Sequence, residues 1–304
     1  MVRRAFVVAV VLAICAGTAQ GASAPLPPSS ALVLAPSDFT SGAAVAADST
    51  RSADGRQIFV RLFRAGARFG SMPLTAVVSL ALVEPDASTA QLDFGAFQLS
   101  AATKSGRQQL AREFGAEFVK GLKLGSRGRK APKSEKFTVG LPVTVGAAGL
   151  FLPLSDKTTL GTFHISMVFA DVDRVVSVSV LMAEPNVSLA PADSRAALTA
   201  IQKRLAAVFA VANTAAPTIA GGTTVGQTLT ADAGTWTGAP SSFSYGWSRC
   251  DASGANCQAI AGATTSTYQV GTADSGLTLV VGVTGANSVG SASATSAATA
   301  VVSS

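Results

Sequence analysis

The side chains that could do chemistry in this sequence are few and scattered. His164 is the single histidine among 304 residues. A serine-type triad or an imidazole zinc site would have to use it, and no Gly-x-Ser-x-Gly elbow accompanies it. Thr162, His164 and Ser166 alternate with Phe163, Ile165 and Met167, which puts the histidine on the polar face of a strand. The expectation is an exposed strand histidine. Asp171 and Asp173 form a carboxylate pair that could hold a cation or move a proton if both projected from one strand face. Lying between two strand-like runs, they read instead as a hairpin turn over Asp171, Val172 and Asp173, because aspartate bonds its own backbone there. No constellation for catalysis, metal or cofactor emerges, so a non-catalytic protein without a cofactor is expected.

The cysteines have a different use. Leu12, Ala13, Ile14 and Cys15 are similar to a lipoprotein box, but Ile14 is bulky where such boxes carry a small residue. Cys15 is therefore read as part of a removed export signal. That leaves Cys250 and Cys257, an even pair, expected to form a disulfide in an oxidising compartment.

The most conspicuous charged feature is a run of seven cations, Lys120, Lys123, Arg127, Arg129, Lys130, Lys133 and Lys136, against one acid, Glu135. Gly121, Gly125, Gly128 and Pro132 keep it loop-like. No aromatic interleaves it, so a nucleic-acid stacking platform is not indicated. No Gly-Lys-Ser/Thr ending makes it a P-loop. Lys123, Arg127, Arg129, Lys130, Lys133 and Lys136 are the candidate anion-binding residues. The expected ligands are lipid headgroups or other anionic envelope polymers, each cation near such a surface contributing about 1 kcal/mol.

Elements must position these residues, and the chain's ends say where it works. Arg3 and Arg4 precede an apolar run from Ala5 to Ala16 and small residues around Ala19, Gln20 and Gly21. This is the pattern of a signal peptide over 1–21, followed by a Pro/Ser-rich leader over 22–30 read as an extended tether. No later stretch is apolar for long enough to span a bilayer, so an extracytoplasmic location is expected. Residues 22–213 carry 20 basic against 14 acidic residues, a net of +6. The remainder carries Arg249 against Asp232, Asp251 and Asp274, a net of −2. The basic character belongs to the first domain.

That domain, placed at 31–213, reads as α+β, an antiparallel sheet covered by helices. Ile58, Val60 and Leu62 alternate on one strand face, with Phe59 and Phe63 on the other. Thr75 to Val83 forms a second strand. Leu110, Phe114 and Phe118 recur at helical spacing, with a break between two helices near Ser105 and Gly106. Phe163 to Phe169 and Val176 to Met182 form a hairpin. Leu198, Ile201, Leu205, Val208 and Phe209 line a last helix, with Pro191 in its first turn and Ser188 or Asp193 as a cap. This element order resembles the α/β sandwich shared by PsbP, Mog1 and mycobacterial LpqN-type lipoproteins.

Residues 214–304 are all-β, with short strand-like runs and turn residues at regular spacing. Val225-Gly226-Gln227-Thr228-Leu229, Gly234-Thr235-Trp236, Tyr245-Gly246-Trp247-Ser248-Arg249-Cys250, Cys257, Thr267-Tyr268-Gln269-Val270 and Asp274-Ser275-Gly276 follow in order. Over 216–302 this resembles the bacterial immunoglobulin-like repeat of actinobacterial surface and secreted proteins. Trp247 is the expected core aromatic. No cysteine falls near Val280, where an inter-sheet bridge would need its second member, so the Cys250–Cys257 bridge would staple a local hairpin. The expected function is a secreted or cell-surface binding protein with an anionic envelope surface, a lipid or a protein as partner, and no nucleic acid. A purely structural or adhesive module is the alternative, and a secreted enzyme the third.

Overall fold

The computed structural model describes residues 28–53, 56–64, 66–69, 74–125, 133–146, 148–159 and 161–304. The segment expected to be a signal peptide and most of the expected leader lie outside these residues. The chain divides into two compact units, the first ending at Val208 and the second running from Phe209 to Ser304. The seam expected at 214 thus falls five residues earlier. Ala212–Ala215 is already a strand of the second unit, paired with Thr235–Thr237.

The first unit contains β1 (Val45–Ala53), β2 (Arg56–Phe63), β3 (Ala76–Val83), α1 (Ala87–Ala102), α2 (Lys104–Gly125), β4 (Ser134–Val139), β5 (Val143–Thr144), β6 (Gly149–Thr158), β7 (Gly161–Val172), β8 (Val175–Met182) and α3 (Pro191–Val208). The strands form one antiparallel sheet in the order β1-β2-β3-β8-β7-β6-β4, with β5 also on β6. Asp86 caps α1, its carboxylate accepting the Thr89 N–H at 2.8 Å. The two helices part at Thr103, slightly before the expected Ser105–Gly106 break. There Arg107 Nη1 donates to the Ala101 and Ala102 carbonyls left open at the end of α1.

The period-two alternation sorts side chains onto two buried faces. On the first, Ile58, Val60, Leu62, Val78, Leu80, Leu82, Ile165, Met167, Phe169, Val176, Val178 and Val180 meet Ala90, Phe94 and Ala101 of α1 and Leu110 and Phe114 of α2. The second face carries Phe59 and Phe63 together with buried serines, and two pieces cover it. One is α3, through Ala197, Leu198, Ile201 and Leu205, with Pro191 at its start and Asp193 in its first turn. The other is the segment Leu32–Leu34 with Phe39, whose ring lies 4.7 Å from that of Phe63. The leader is therefore not wholly an extended tether. Ser29–Ala31 forms a 3-10 turn that leads directly into buried residues.

The serines on this face are buried because each has a partner. Ser79 Oγ accepts the Leu34 N–H at 3.1 Å and lies 3.0 Å from Ser179 Oγ. Ser194 Oγ of α3 donates to Ser166 Oγ at 2.8 Å. Arg61 grips Asp48 through two hydrogen bonds and also donates to the Leu34 carbonyl.

The second unit is all-β. It contains β9 (Ala212–Ala215), β10 (Thr218–Ala220), β11 (Thr228–Asp232), β12 (Thr235–Thr237), β13 (Ser242–Cys250), β14 (Gln258–Ala259), β15 (Thr267–Gln269), β16 (Thr278–Ala286) and β17 (Ser291–Thr295). These form antiparallel sheets β10-β11-β15 and β14-β13-β16-β17 and the pair β9-β12. Leu229 and Ala231 of one sheet and Trp247, Leu279, Val281 and Val283 of another share one core. Trp247 is 1% exposed, its indole N–H donates to the Thr265 carbonyl at 2.9 Å, and its ring stacks on Tyr268. Beside it the buried Asp274 accepts from Arg249, from Tyr268 Oη at 2.8 Å and from the Gly271 N–H at 2.7 Å. Burial alone pushes the Asp274 carboxyl up, but these donors outweigh it and hold the group below the usual carboxylate range.

Cys250 and Cys257 are joined in a disulfide across the β13–β14 hairpin, where Arg249 faces Gln258. Inside the loop the Asp251 carboxylate accepts from Ser253, Ala255 and Asn256, which lower its pKa to about 2. Because the bridge closes so short a loop, removing it through the Cys250→Ala/Cys257→Ala double substitution is expected to cost the second unit about 2.5 kcal/mol. Denaturant unfolding followed by Trp fluorescence checks this, since both tryptophans, Trp236 and Trp247, lie in that unit.

Candidate functional site

The expected anion-binding residues are distributed by the fold as follows. The backbone of Lys123 belongs to α2, while its side chain, like that of Lys120, lies outside what the structure describes. Arg127, Arg129 and Lys130 also lie outside the described residues. Lys133 and Lys136 are described and exposed. Lys133 joins the end of β6 through its N–H to Thr159 Oγ1 at 3.3 Å, and its carbonyl accepts the Thr159 N–H at 3.2 Å.

Strand pairing brings in a cation that local sequence does not announce. Lys136 on β4 stands opposite Lys157 on β6. Residues directly opposite in an antiparallel pair project from the same face, so the two lysines start from one face of the sheet as direct neighbours. Like charges so placed repel unless an anion joins them. One carboxylate already approaches, Glu135, 3.3 Å from Lys157 Nζ, with the side chains 47% and 67% exposed. An ion pair this open to water contributes only about 0–1 kcal/mol and gives way readily.

The adjoining row adds neutral donors. Thr138 on β4 faces Ser155 on β6, with their hydroxyls 2.6 Å apart, and Ser155 faces His164 on β7. Lys157 in turn faces Thr162. Thr138, Ser155, Thr162 and His164 are half-buried, whereas both lysines are exposed. His164 is thus not the freely exposed strand residue expected from alternation. It lies two residues from Ser166, on the face where α3 rests, and is half-buried.

The carboxylate pair is divided between strand and turn, yet the two groups stay near enough for the charge of Asp173 to act on Asp171. Asp171 is the penultimate residue of β7, paired with Val176, and the turn is formed by Asp173 and Arg174 instead. Asp173 takes φ +56°, a conformation Asp tolerates better than most residues. The expected turn over 171–173 is therefore narrowed to Asp173 and Arg174, since ladder pairing continues through Val172 and Val175. Asp171 is 8% exposed, and its Oδ1 has no hydrogen-bond partner among the described residues. Burial, and next the charge of Asp173, push its carboxyl up to about 6.

At this end of the sheet the Glu84 N–H donates to the Arg174 carbonyl at 2.8 Å, beside Asp173 in the turn. Arg56 lies 2.7 Å from Glu84 and 2.8 Å from Asp93 of α1. Among the described residues, no group of three or more His, Cys, Asp or Glu side chains is arranged to hold a metal.

A shallow groove of about 640 Å³ runs along α3 between Pro191 and Lys203. Its described lining comes from that helix alone, which does not make the enclosing walls of a small-molecule site.

No family model matches this chain, and no curated protein matches it. Among solved structures, the extracellular domain of PknH from Mycobacterium tuberculosis is similar at a TM-score of 0.34 and 10% identity, over 62% of this chain and 98% of that one. Among the described residues, no helix is long and apolar enough to cross a membrane.

Proposed function

We propose that this chain is an exported, non-catalytic interaction protein of the bacterial envelope. Its first unit binds an anionic surface, and its second unit is an immunoglobulin-like sandwich serving as spacer or contact module. The observation that carries the binding role is the convergence of Lys133, Lys136 and Lys157 at one edge of the first unit's sheet. This edge continues the run that includes Arg127, Arg129 and Lys130. Export is supported by the Arg3–Gly21 pattern and by a disulfide, which persists in oxidising compartments. The sandwich reading is supported by two sheets sharing one core around Trp247 and by a bridge local to one hairpin.

The test is a salt-controlled pull-down on purified envelope fractions. With each cation contributing about 1 kcal/mol, the triple substitution Arg127→Gln/Arg129→Gln/Lys130→Gln is expected to weaken binding by about 100-fold at low salt. Unchanged binding would remove the electrostatic role.

A further inference from the structure

We propose that the open corner of the first unit's sheet, built by Lys136 and Thr138 of β4, Lys157 and Ser155 of β6, and His164 of β7, is a binding site for a phosphoryl group. This rests on the anionic-surface reading and names the chemistry that surface would present. Five donor-bearing side chains occupy two neighbouring cross-strand rows on one face of the sheet.

Spacing sets the size of the ligand. Three adjacent strands span about 9.6 Å, and two rows lie about 6.8 Å apart along the strands. A planar carboxylate offers two oxygens and can meet one row. A tetrahedral phosphoryl group offers three or more oxygens in different directions and can take the lysines from one row and the hydroxyls or imidazole from the other. The donor types agree with this division. The lysines supply charge at the exposed end, while the half-buried Thr138, Ser155 and His164 supply directed hydrogen bonds where water is partly excluded.

The hydroxyls of Thr138 and Ser155 are hydrogen-bonded 2.6 Å apart, so both oxygens are already held in place, and the hydroxyl that accepts in that bond keeps its own O–H for an arriving oxygen. Glu135 is the acid nearest the lysines by contact. It is exposed and belongs to the bulge where the β4–β6 register shifts, so it can swing away from Lys157 without breaking the ladder.

Because His164 is the lone histidine, its imidazole C–H signals in a proton spectrum of the untagged chain report on this corner without assignment. At constant pH and ionic strength, inorganic phosphate is expected to shift them saturably, and acetate is not. Thr138→Ala/Ser155→Ala is expected to weaken the phosphate response at least tenfold. Lys136→Gln/Lys157→Gln, which alters two exposed side chains and leaves the packing alone, is expected to do the same. Vesicles of phosphatidylglycerol in competition with inorganic phosphate identify the source. Displacement of the phosphate response assigns the site to a lipid headgroup, and persistence assigns it to a free phosphoryl ligand.

Equal responses to phosphate and acetate, or a phosphate response unaltered in both double variants, would overturn the assignment. If the protein still binds envelope fractions in those cases, the site fails while the broader electrostatic reading stands.

Discussion

Replacing Arg56 by Ala is expected to destabilise the first unit by about 3–5 kcal/mol, among the largest effects of any single substitution in this chain. Arg56 and Glu84 are each 2% exposed, and the guanidinium is the positive partner that lets Glu84 remain buried as a carboxylate. Burial already pushes the Glu84 carboxyl up, Arg56 opposes that, and Asp93 and Asp86 add repulsion. Without Arg56, Glu84 must either take up a proton or remain as an uncompensated buried charge. The matched apolar replacement Arg56→Met/Glu84→Leu removes both charges and is expected to lie within about 1 kcal/mol of the parent, or to exceed it. Urea unfolding of the two variants at pH 7 checks the contrast. A double variant as unstable as Arg56→Ala would mean that the pair contributes more than mutual neutralisation.

The second large effect has the opposite sign. Asp171→Asn is expected to stabilise the protein at pH 7.5, by as much as about 3 kcal/mol, the equivalent of raising a carboxyl from 3.8 to about 6. The folded chain holds the Asp171 proton more tightly than the unfolded chain does. The group therefore favours folding most below about pH 4, loses that contribution between pH 4 and 6, and contributes nothing further above it. This is the reverse of an ion-paired carboxylate. The asparagine removes the ionisation and the repulsion from Asp173 while keeping nearly the same shape. The stability difference between parent and variant, followed from pH 4 to 8, should grow through that interval and then level off. A constant difference across the range would contradict it.

Both effects concern the end of the sheet, which sequence reading approached without resolving. The alternation at Ile58, Val60 and Leu62 and at Val176, Val178 and Val180 was legible because one face of each strand is continuously apolar. The hairpin was legible too, but its turn was not. Asp171 is polar enough to suggest an exit from the ladder, yet pairing persists through Val172, and the positive φ falls on Asp173. Two other strands left weak traces. β1 is a polar edge strand, and β6 is interrupted by Pro153 and ends in Ser155, Asp156, Lys157 and Thr158. Without β6, nothing places Lys157 opposite Lys136, or Ser155 between Thr138 and His164. Those juxtapositions belong to register, which residues far apart in sequence decide together. The Leu32–Leu34 cover was hidden for a similar reason, since three apolar residues have no period and their anchors, Ser79 and Arg61, lie in distant strands. The second unit was more legible because its markers, Trp247, Cys250 and Tyr268, are themselves core or near-core residues.

The claim on which the functional account rests is that the first unit's cations bind an anionic surface. Its most direct test is co-sedimentation of the chain with phosphatidylglycerol vesicles and with neutral phosphatidylcholine vesicles, at 0.05 and 0.5 M salt. Tenfold more salt shrinks the screening length from about 14 to about 4 Å, so a surface contact made by exposed lysines should weaken steeply. Binding to the anionic vesicles at low salt, its loss at high salt and its absence on neutral vesicles are predicted. Equal binding to both vesicle types, or binding indifferent to salt, would contradict the account.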